Sequence, residues 1–446
     1  MAPSGQGYDC TGNCLNGGRY YPTNISLTTT TPAIADAILT MSGVNKGGQG
    51  NNNSVERFNP DLGNDGTWDI ISKNIPIDRL DTNQQYPRLH LFPDGYVFYS
   101  GSDPQTQLFN PNLPSTDPLQ WQLKAMNRCE RVHGISVLLP FVLAPNGLLP
   151  NGSNDPGAQV LVAGGHNHHP GNASLCPLLP PNNAPTVQKT ADVYNYKTDT
   201  WDAVADMTMP RDMHQAVLLP DGKVVILGGE DKVCVDIVND CPGTTACEPV
   251  YTGDLYNPIT KTWTQIPAPP ISQQRPRQYH SGAILLPDAS VLVDGGETDY
   301  HCYSGMTAQI YKPGYFFRPT ARPVFHPTNP FPNGNQMIYG QAFTINAPNA
   351  DQIAKVVLIR SSSVTHSFNP DQRYLELYIT SRPQGNSSLV VMPPANQNLA
   401  PLGYYMLFLV KETTPGNIDT RISSVAKFVQ LVTPTFQQSL RTRPRR

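Results

Sequence analysis

Hydrophobic and polar positions alternate along this chain in short bursts, and the bursts repeat. One unit recurs: an apolar strand, a Pro-Asp-Gly-type turn, a second apolar strand ending in Gly or Gly-Gly, an aromatic-Asn-Pro-type strand, and a Trp. It is plainest from Arg88 through Leu89-His90-Leu91-Phe92-Pro93-Asp94-Gly95, Val97 to Gly101 and Phe109-Asn110-Pro111 to Trp121. A second copy has Ile135 to Leu139, a long insertion, Val160 to Gly165, Tyr194-Asn195 and Trp201. A third has Ala216 to Gly222, Val224 to Gly229, Tyr256-Asn257-Pro258 and Trp263. A fourth has Ala283 to Asp288, Val291 to Gly296 and Tyr311, and a weaker, earlier one has Ile25, Ile38 to Gly43, Phe58-Asn59-Pro60 and Trp68. All 4 tryptophans of the chain close a unit.

Each unit predicts a four-stranded antiparallel sheet, with the glycines allowing backbone bends and close approach. Repeats of this kind predict an all-β protein built on a kelch-type β-propeller, of which about five blades are visible. After Tyr311 the pattern changes at the Pro-rich stretch from Arg322 to Pro332. Short alternating strands follow, as at Gln341 to Ile345, Ala354 to Ile359, Tyr374 to Ile379 and Tyr404 to Val410. They read as an immunoglobulin-like β-sandwich. The expected domains are a propeller over 1–321, a C-terminal sandwich over 322–435 and a basic tail over 436–446.

Composition agrees. Pro 45 and Gly 35 in 446 residues suit many turns, and charged residues are only 15%, against roughly 25% in ordinary soluble domains. The net charge of -3 argues against a nucleic-acid partner held by a basic surface. No apolar run reaches the roughly 18 residues of a membrane span. The 8 cysteines (Cys10, Cys14, Cys129, Cys176, Cys234, Cys241, Cys247 and Cys302) form no CxxC pair, so disulfides in an oxidising compartment are expected rather than a zinc site. Sequons at Asn24, Asn52, Asn151, Asn172 and Asn386 point to the same compartment. A secreted, monomeric glycoprotein is the expectation, although Met1-Ala2-Pro3-Ser4 opens no signal peptide.

Candidate chemistry is sparse. His166-Asn167-His168-His169 lies in a Pro/Asn-rich insertion with no carboxylate or thiolate close by in sequence, and reads as a solvated loop. His214 reads as a wall residue facing the propeller channel. Tyr279-His280 stands at the start of a blade's first strand. Neighbours in a regular strand point to opposite faces, so both meet one ion only where the strand start is irregular. Otherwise they are an interblade tyrosine and a hydrogen-bonded histidine. His366 sits in a polar run between two strands, Ser363-Val364-Thr365-His366-Ser367-Phe368-Asn369-Pro370-Asp371-Gln372-Arg373.

Together these segments resemble the galactose oxidase/glyoxal oxidase family of copper-radical oxidases, and most closely its glyoxal oxidase-like branch. Arg277-Gln278-Tyr279-His280-Ser281 is similar to the family's axial tyrosine and adjoining histidine ligand. The run from Thr365 to Arg373 is similar to the loop whose histidine reaches copper, and Gly18-Arg19-Tyr20-Tyr21-Pro22-Thr23-Asn24 resembles the stretch bearing the radical tyrosine. The resemblance implies a copper ion held by Tyr21, Tyr279, His280 and His366. It also implies a tyrosyl radical on Tyr21 and Tyr279 as base. Two imidazoles and phenolate oxygen form an N,O set that suits Cu(II), and a phenol ionises more readily beside a divalent cation. The implied reaction oxidises small aldehydes of the glyoxal or methylglyoxal type, or primary alcohols, with dioxygen going to hydrogen peroxide. Family members join the radical tyrosine to a cysteine one blade upstream by a thioether. Here that position falls before Met1, and five blades are visible where the family has seven. The chain is therefore expected to be N-terminally incomplete, with the thioether cysteine missing. The competing expectations are a catalytically silent copper- or carbohydrate-binding propeller and a kelch interaction module.

Overall fold

The structure, a computed structural model, describes residues 19, 21–27, 37–44, 52–60, 66–73, 75–76, 86–150, 157–167, 186–232, 248–298, 303–304, 306–383 and 386–434. The chain folds as two compact units, Met1–Asn127 and Arg128–Arg446. Among the described residues the protein is all-β, apart from a few single-turn 3-10 segments.

The first unit holds two four-stranded antiparallel sheets, each with strands in sequence order. One runs through Thr23–Leu27, Ala37–Met41, Val55–Asn59 and Thr67–Ser72, the other through Leu89–Leu91, Val97–Tyr99, Gln105–Phe109 and Trp121–Met126. The second unit holds three more four-stranded antiparallel sheets; in the last, Tyr303–Ser304 and Ala308–Tyr311 both pair with the strand Val291–Thr298. Their first strands are Ile135–Leu138, Gln215–Leu218 and Tyr279–Leu285. These five sheets are the blades of a β-propeller fold, and a nine-stranded β-sandwich sheet follows them in the chain. The strand Phe141–Val142, from the loop beyond the third blade's first strand, joins that sandwich in parallel beside Leu375 and Glu376.

The repeated aromatic residues explain the regularity. The strand-closing tryptophans lie directly across from the aromatic residue before Asn: Phe58 opposite Trp68, Phe109 opposite Trp121, Tyr194 opposite Trp201 and Tyr256 opposite Trp263. Their ring centroids are 4.9, 4.6, 5.2 and 4.8 Å apart, all tilted. Directly opposed aromatic pairs are the strongest register signals a sheet carries. The buried core of the second unit is continuous from blade residues such as Leu161, Val225 and Val291 to sandwich residues such as Val357, Ile359 and Phe408.

A second repeated device was not anticipated. Before the first strand of four blades stands an arginine that clamps the next two strands. Arg131 donates to Gly164 O, Thr190 O and Asp192 Oδ2. Arg211 donates to Gly228 O, Thr252 Oγ1 and Asp254 Oδ2. Arg277 donates to Gly295 O, Thr307 O and Gln309 Oε1. Arg19 donates to Ser42 O, Ser54 Oγ and Glu56 Oε1. In each blade one accepting carbonyl lies near or just beyond the end of the second strand; the last-named side-chain acceptor lies on the third strand for Arg19, Arg131 and Arg211 and on Ala308–Tyr311 for Arg277. The fifth blade differs, with neutral Gln309 where the others place a carboxylate.

Candidate functional site

Tyr279 and His280 are brought together by a break in a strand. The fifth blade's first strand pairs Tyr279 with Glu297 and then Ser281 with Gly295, so the register steps over His280. His280 has φ 59°, in the left-handed region, and Ser281 N donates to Gln278 O across a tight turn at 3.0 Å. The turn cancels the usual alternation of faces, and the two rings lie at 3.8 Å between centroids and 30°. Gly296 is required where the turn passes: a Cβ there would lie 3.1 Å from Arg277 Cα and from Gln278 N, and its φ is +98°. Arg277 fixes one side of the turn through its clamp. Buried Gln278 fixes the other by donating to Glu230 Oε2 at 2.9 Å.

His366 reaches the same place from the sandwich. It lies in the loop between the strands Lys355–Arg360 and Tyr374–Ser381. Thr365 and Phe368 exchange both backbone hydrogen bonds, at 3.0 and 2.9 Å. The two central residues, His366 and Ser367, have φ 44° and 65°. That is the geometry of a type I′ hairpin, which normally selects Asn or Gly. A histidine and a serine held there are strained, as is common at working sites. Thr365 Oγ1 and His366 Nδ1 share a hydrogen bond of 2.7 Å, which leaves Nε2 as the nitrogen that can meet a metal. The His366 ring stands 5.3 Å from Tyr279 and 4.8 Å from His280, nearly perpendicular to both.

Five residues after His366 in its motif have structural tasks. Phe368 is buried. Asn369 Oδ1 accepts from Ser363 N and Asp371 N. Asp371 pairs with Arg360 at 3.2 Å. Gln372 Oε1 accepts from Leu138 N at 2.6 Å, and its Nε2 donates to Ser136 O and Asn369 O. Arg373 lies over the Phe141 ring at 5.5 Å. Burial pulls its pKa down to about 10 against the opposing pull of Tyr405.

Tyr21 belongs to the first unit, as the left-handed residue (φ 60°) two positions before that unit's first strand. Its carbonyl accepts from Tyr86 N at 2.7 Å, and its ring lies 5.2 Å from the Tyr86 ring. Tyr86 is thus an aromatic neighbour of Tyr21. Cys10, Cys14, His168 and His169 lie outside the described residues.

The expectation for His166 is overturned. It is no solvated loop residue: it is buried, and its Nδ1 lies 2.6 Å from Asp212 Oδ2. His133 Nδ1 stands 3.8 Å from the same oxygen. Burial disfavours the imidazolium of His166, but Asp212 outweighs it and raises the pKa. Asp212 is correspondingly lowered, although burial alone would raise it. His214 is fully buried. Asn52 is buried too, with Oδ1 accepting from Ser54 N and Oγ, which removes it as a glycan acceptor. Asn24 and Asn386 are exposed.

Propeller blades are followed by a sandwich whose hairpin carries a histidine to a blade's Tyr-His pair, so that two imidazoles and a phenol meet. The chain belongs to the galactose oxidase/glyoxal oxidase family of copper-radical oxidases: the family model "Glyoxal oxidase N-terminus" matches residues 15–312, and "Galactose oxidase-like, Early set domain" matches 322–431. It is similar to galactose oxidase of Gibberella zeae, 31% identical over 205 residues, covering 45% of this chain and 27% of that protein. It is also similar to aldehyde oxidase GLOX1 of Arabidopsis thaliana, 29% identical over 247 residues, covering 50% of this chain and 37% of the relative. The chain thus spans well under half the length of either relative. Its fold matches a solved fungal alcohol oxidase of the AA5 family in complex with copper, with TM-score 0.68, 21% identity and coverage of 94% of this chain and 76% of that one. Among the described residues, no helix is long and apolar enough to cross a membrane.

Proposed function

We propose that this protein oxidises small aldehydes of the glyoxal or methylglyoxal type, or primary alcohols, at a copper site, with dioxygen reduced to hydrogen peroxide. The observation that carries the proposal is the meeting of the Tyr279, His280 and His366 rings within 3.8 to 5.3 Å of one another. Two imidazole nitrogens and a phenol oxygen suit tetragonal Cu(II), so the residues fit the ion. His280, His366 and Tyr279 would hold it, with Tyr21 as the proposed fourth ligand and radical site. Copper, when bound, would supply one electron of redox capacity and a radical on Tyr21 the other.

The chain's own residues do the rest. Tyr279 Oη takes the proton of the substrate hydroxyl, whether an alcohol or an aldehyde hydrate. The Thr365 hydroxyl holds the His366 ring in place. Arg277 and Gln278 lock the turn that presents Tyr279 and His280. Two electrons and two protons leave the substrate, so a hydrated aldehyde becomes the carboxylic acid and dioxygen becomes peroxide. An extracellular, monomeric enzyme is the setting we propose. Buried Cys129 is disulfide-bonded, which favours an oxidising compartment.

The test is copper reconstitution followed by peroxide detection with methylglyoxal and a primary alcohol. Wild-type protein is expected to form peroxide, His366→Ala to lose copper binding, and Tyr21→Phe to keep copper but lose turnover. Unchanged turnover in Tyr21→Phe refutes the radical role. Copper binding without peroxide from either substrate supports a silent binding propeller instead.

A further inference from the structure

We propose that His133, His166 and Asp212 form a second metal site, separate from the Tyr279, His280 and His366 cluster, that takes a divalent transition-metal ion of the zinc class. The three side chains offer ligand atoms that all lie within 4.8 Å of one another. They come from three backbone positions that the fold holds rigidly. His133 precedes the third blade's first strand, with φ 54°. His166 follows the Gly164-Gly165 pair of the same blade, and its N and O both bond the backbone of Val132 at 2.9 Å. Asp212 precedes the fourth blade's first strand and exchanges backbone hydrogen bonds with Glu230 at 2.8 and 3.0 Å. The site is therefore preorganised by two adjacent blades.

An independent observation points to a cation as ligand. The Asp212 side chain is only 1% exposed. Its Oδ2 is engaged by His166, whereas its Oδ1 is buried and has no hydrogen-bond partner among the described residues. A buried carboxylate oxygen in this state is costly and selects a cation or a proton donor. His133 Nδ1 likewise has no hydrogen-bond partner among the described residues. Its side chain is 34% exposed, so the cluster has a path to solvent.

The geometry fits an ion with small adjustments. Donors about 2.0–2.2 Å from zinc are roughly 3–3.5 Å apart. The observed separations of 2.6 Å for His166 to Asp212 and 3.8 Å for His133 to Asp212 bracket that distance. The ion takes the place of the proton now shared between His166 Nδ1 and Asp212 Oδ2, that proton leaves to solvent, and bidentate binding by the carboxylate engages Oδ1 as well. Two imidazoles and one carboxylate leave a further coordination position for water or an anion.

The test uses the full chain loaded with one equivalent of copper and then equilibrated with Zn(II), with both metals counted by elemental analysis. Copper outcompetes zinc at any shared N,O site, so zinc reports positions that copper does not fill. One zinc per chain is expected. His133→Ala and Asp212→Asn are expected to weaken it by more than the roughly 10–100-fold that loss of an orienting partner alone costs, and His280→Ala, titrated with zinc and no copper, to leave that affinity unchanged. His133→Ala alters a partly exposed side chain, so it decides the matter should Asp212→Asn fail to fold. Absence of bound zinc in the wild type, or equal zinc in wild type and His133→Ala, overturns the proposal.

Discussion

Gln372 is the residue on which the His366 hairpin turns. Leu138 and Ser136 lie two apart on the third blade's first strand, whose other edge pairs with the strand Gln159–Ala163. Leu138 N and Ser136 O face the opposite edge, where a fifth strand would pair. The Gln372 amide occupies that edge instead, accepting from Leu138 N at 2.6 Å and donating to Ser136 O at 3.0 Å. It imitates the peptide group of an added strand and ties the sandwich loop to the blade. Gln372→Ala strands two backbone groups on residues that are 2 and 3% exposed. Each costs about 1–3 kcal/mol when orphaned, so about 3 kcal/mol in all is expected once water partly compensates. At roughly 2–4 °C per kcal/mol, the melting temperature should fall by about 6–12 °C. Copper affinity should fall with it, because the hairpin loses its anchor. Gln372→Glu should be at least as harmful, since a carboxylate would face the carbonyls of Ser136 and Asn369. Differential scanning calorimetry and Cu(II) titration measure both effects. If Gln372→Ala melts within about 1 °C of wild type and binds copper equally well, the amide is not what places His366.

Two further predictions test the framework. Arg211 and Asp254 are both 0% exposed and 2.8 Å apart; Arg211→Met leaves the carboxylate buried with one hydroxyl and one amide from Thr208. A loss of about 3–5 kcal/mol is expected, read by chemical denaturation, and a loss under about 1 kcal/mol would show that the clamp contributes little. For Glu412, burial raises the pKa, but Gly416 N–H and Arg421 outweigh it and hold it below the usual value. A depressed carboxylate stabilises the fold above its unfolded pKa, about 4.3, and loses that contribution as pH falls through the folded value. Glu412→Gln should therefore flatten the acid limb of the stability profile below about pH 4.3; an unchanged limb excludes this pair as its source.

The blades were legible because their signals are local. A Trp sits across from an aromatic residue only a short hairpin earlier in the chain, and the two touch whatever the rest of the chain does. The arginine clamp is written in the sequence as well, as Arg before each first strand and Glu56, Asp192 or Asp254 on the third. It cannot be read there because each pair is separated by a hairpin, and an isolated Arg carries no period. His166 fails for the same reason in sharper form. Its partner, Asp212, is 46 residues away, and no carboxylate nearby in sequence announces it. The meeting of Tyr279, His280 and His366 could be expected only by resemblance, since alternation along a regular strand argues against it.

The same backbone feature underlies these placements. Tyr21, Tyr86, His133, Met213 and His280 all have φ between 51 and 60°, and each stands at the start of a blade's first strand. Left-handed backbone at a non-glycine residue is uncommon and costly, and it is often read as a mark of catalysis. Here it recurs in all five described blades, so it belongs to the turn by which a chain approaches a blade. The strain alone identifies no site. Its effect is to break the alternation of faces and turn out one side chain at the same point of every blade. What then matters is the residue the sequence places there. Met213 offers no strong ligand. His280 meets His366 and Tyr279, and His133 meets Asp212 and His166. The propeller supplies equivalent strained positions, and the chemistry is decided by which of them carry an imidazole or a phenol with a partner already in reach.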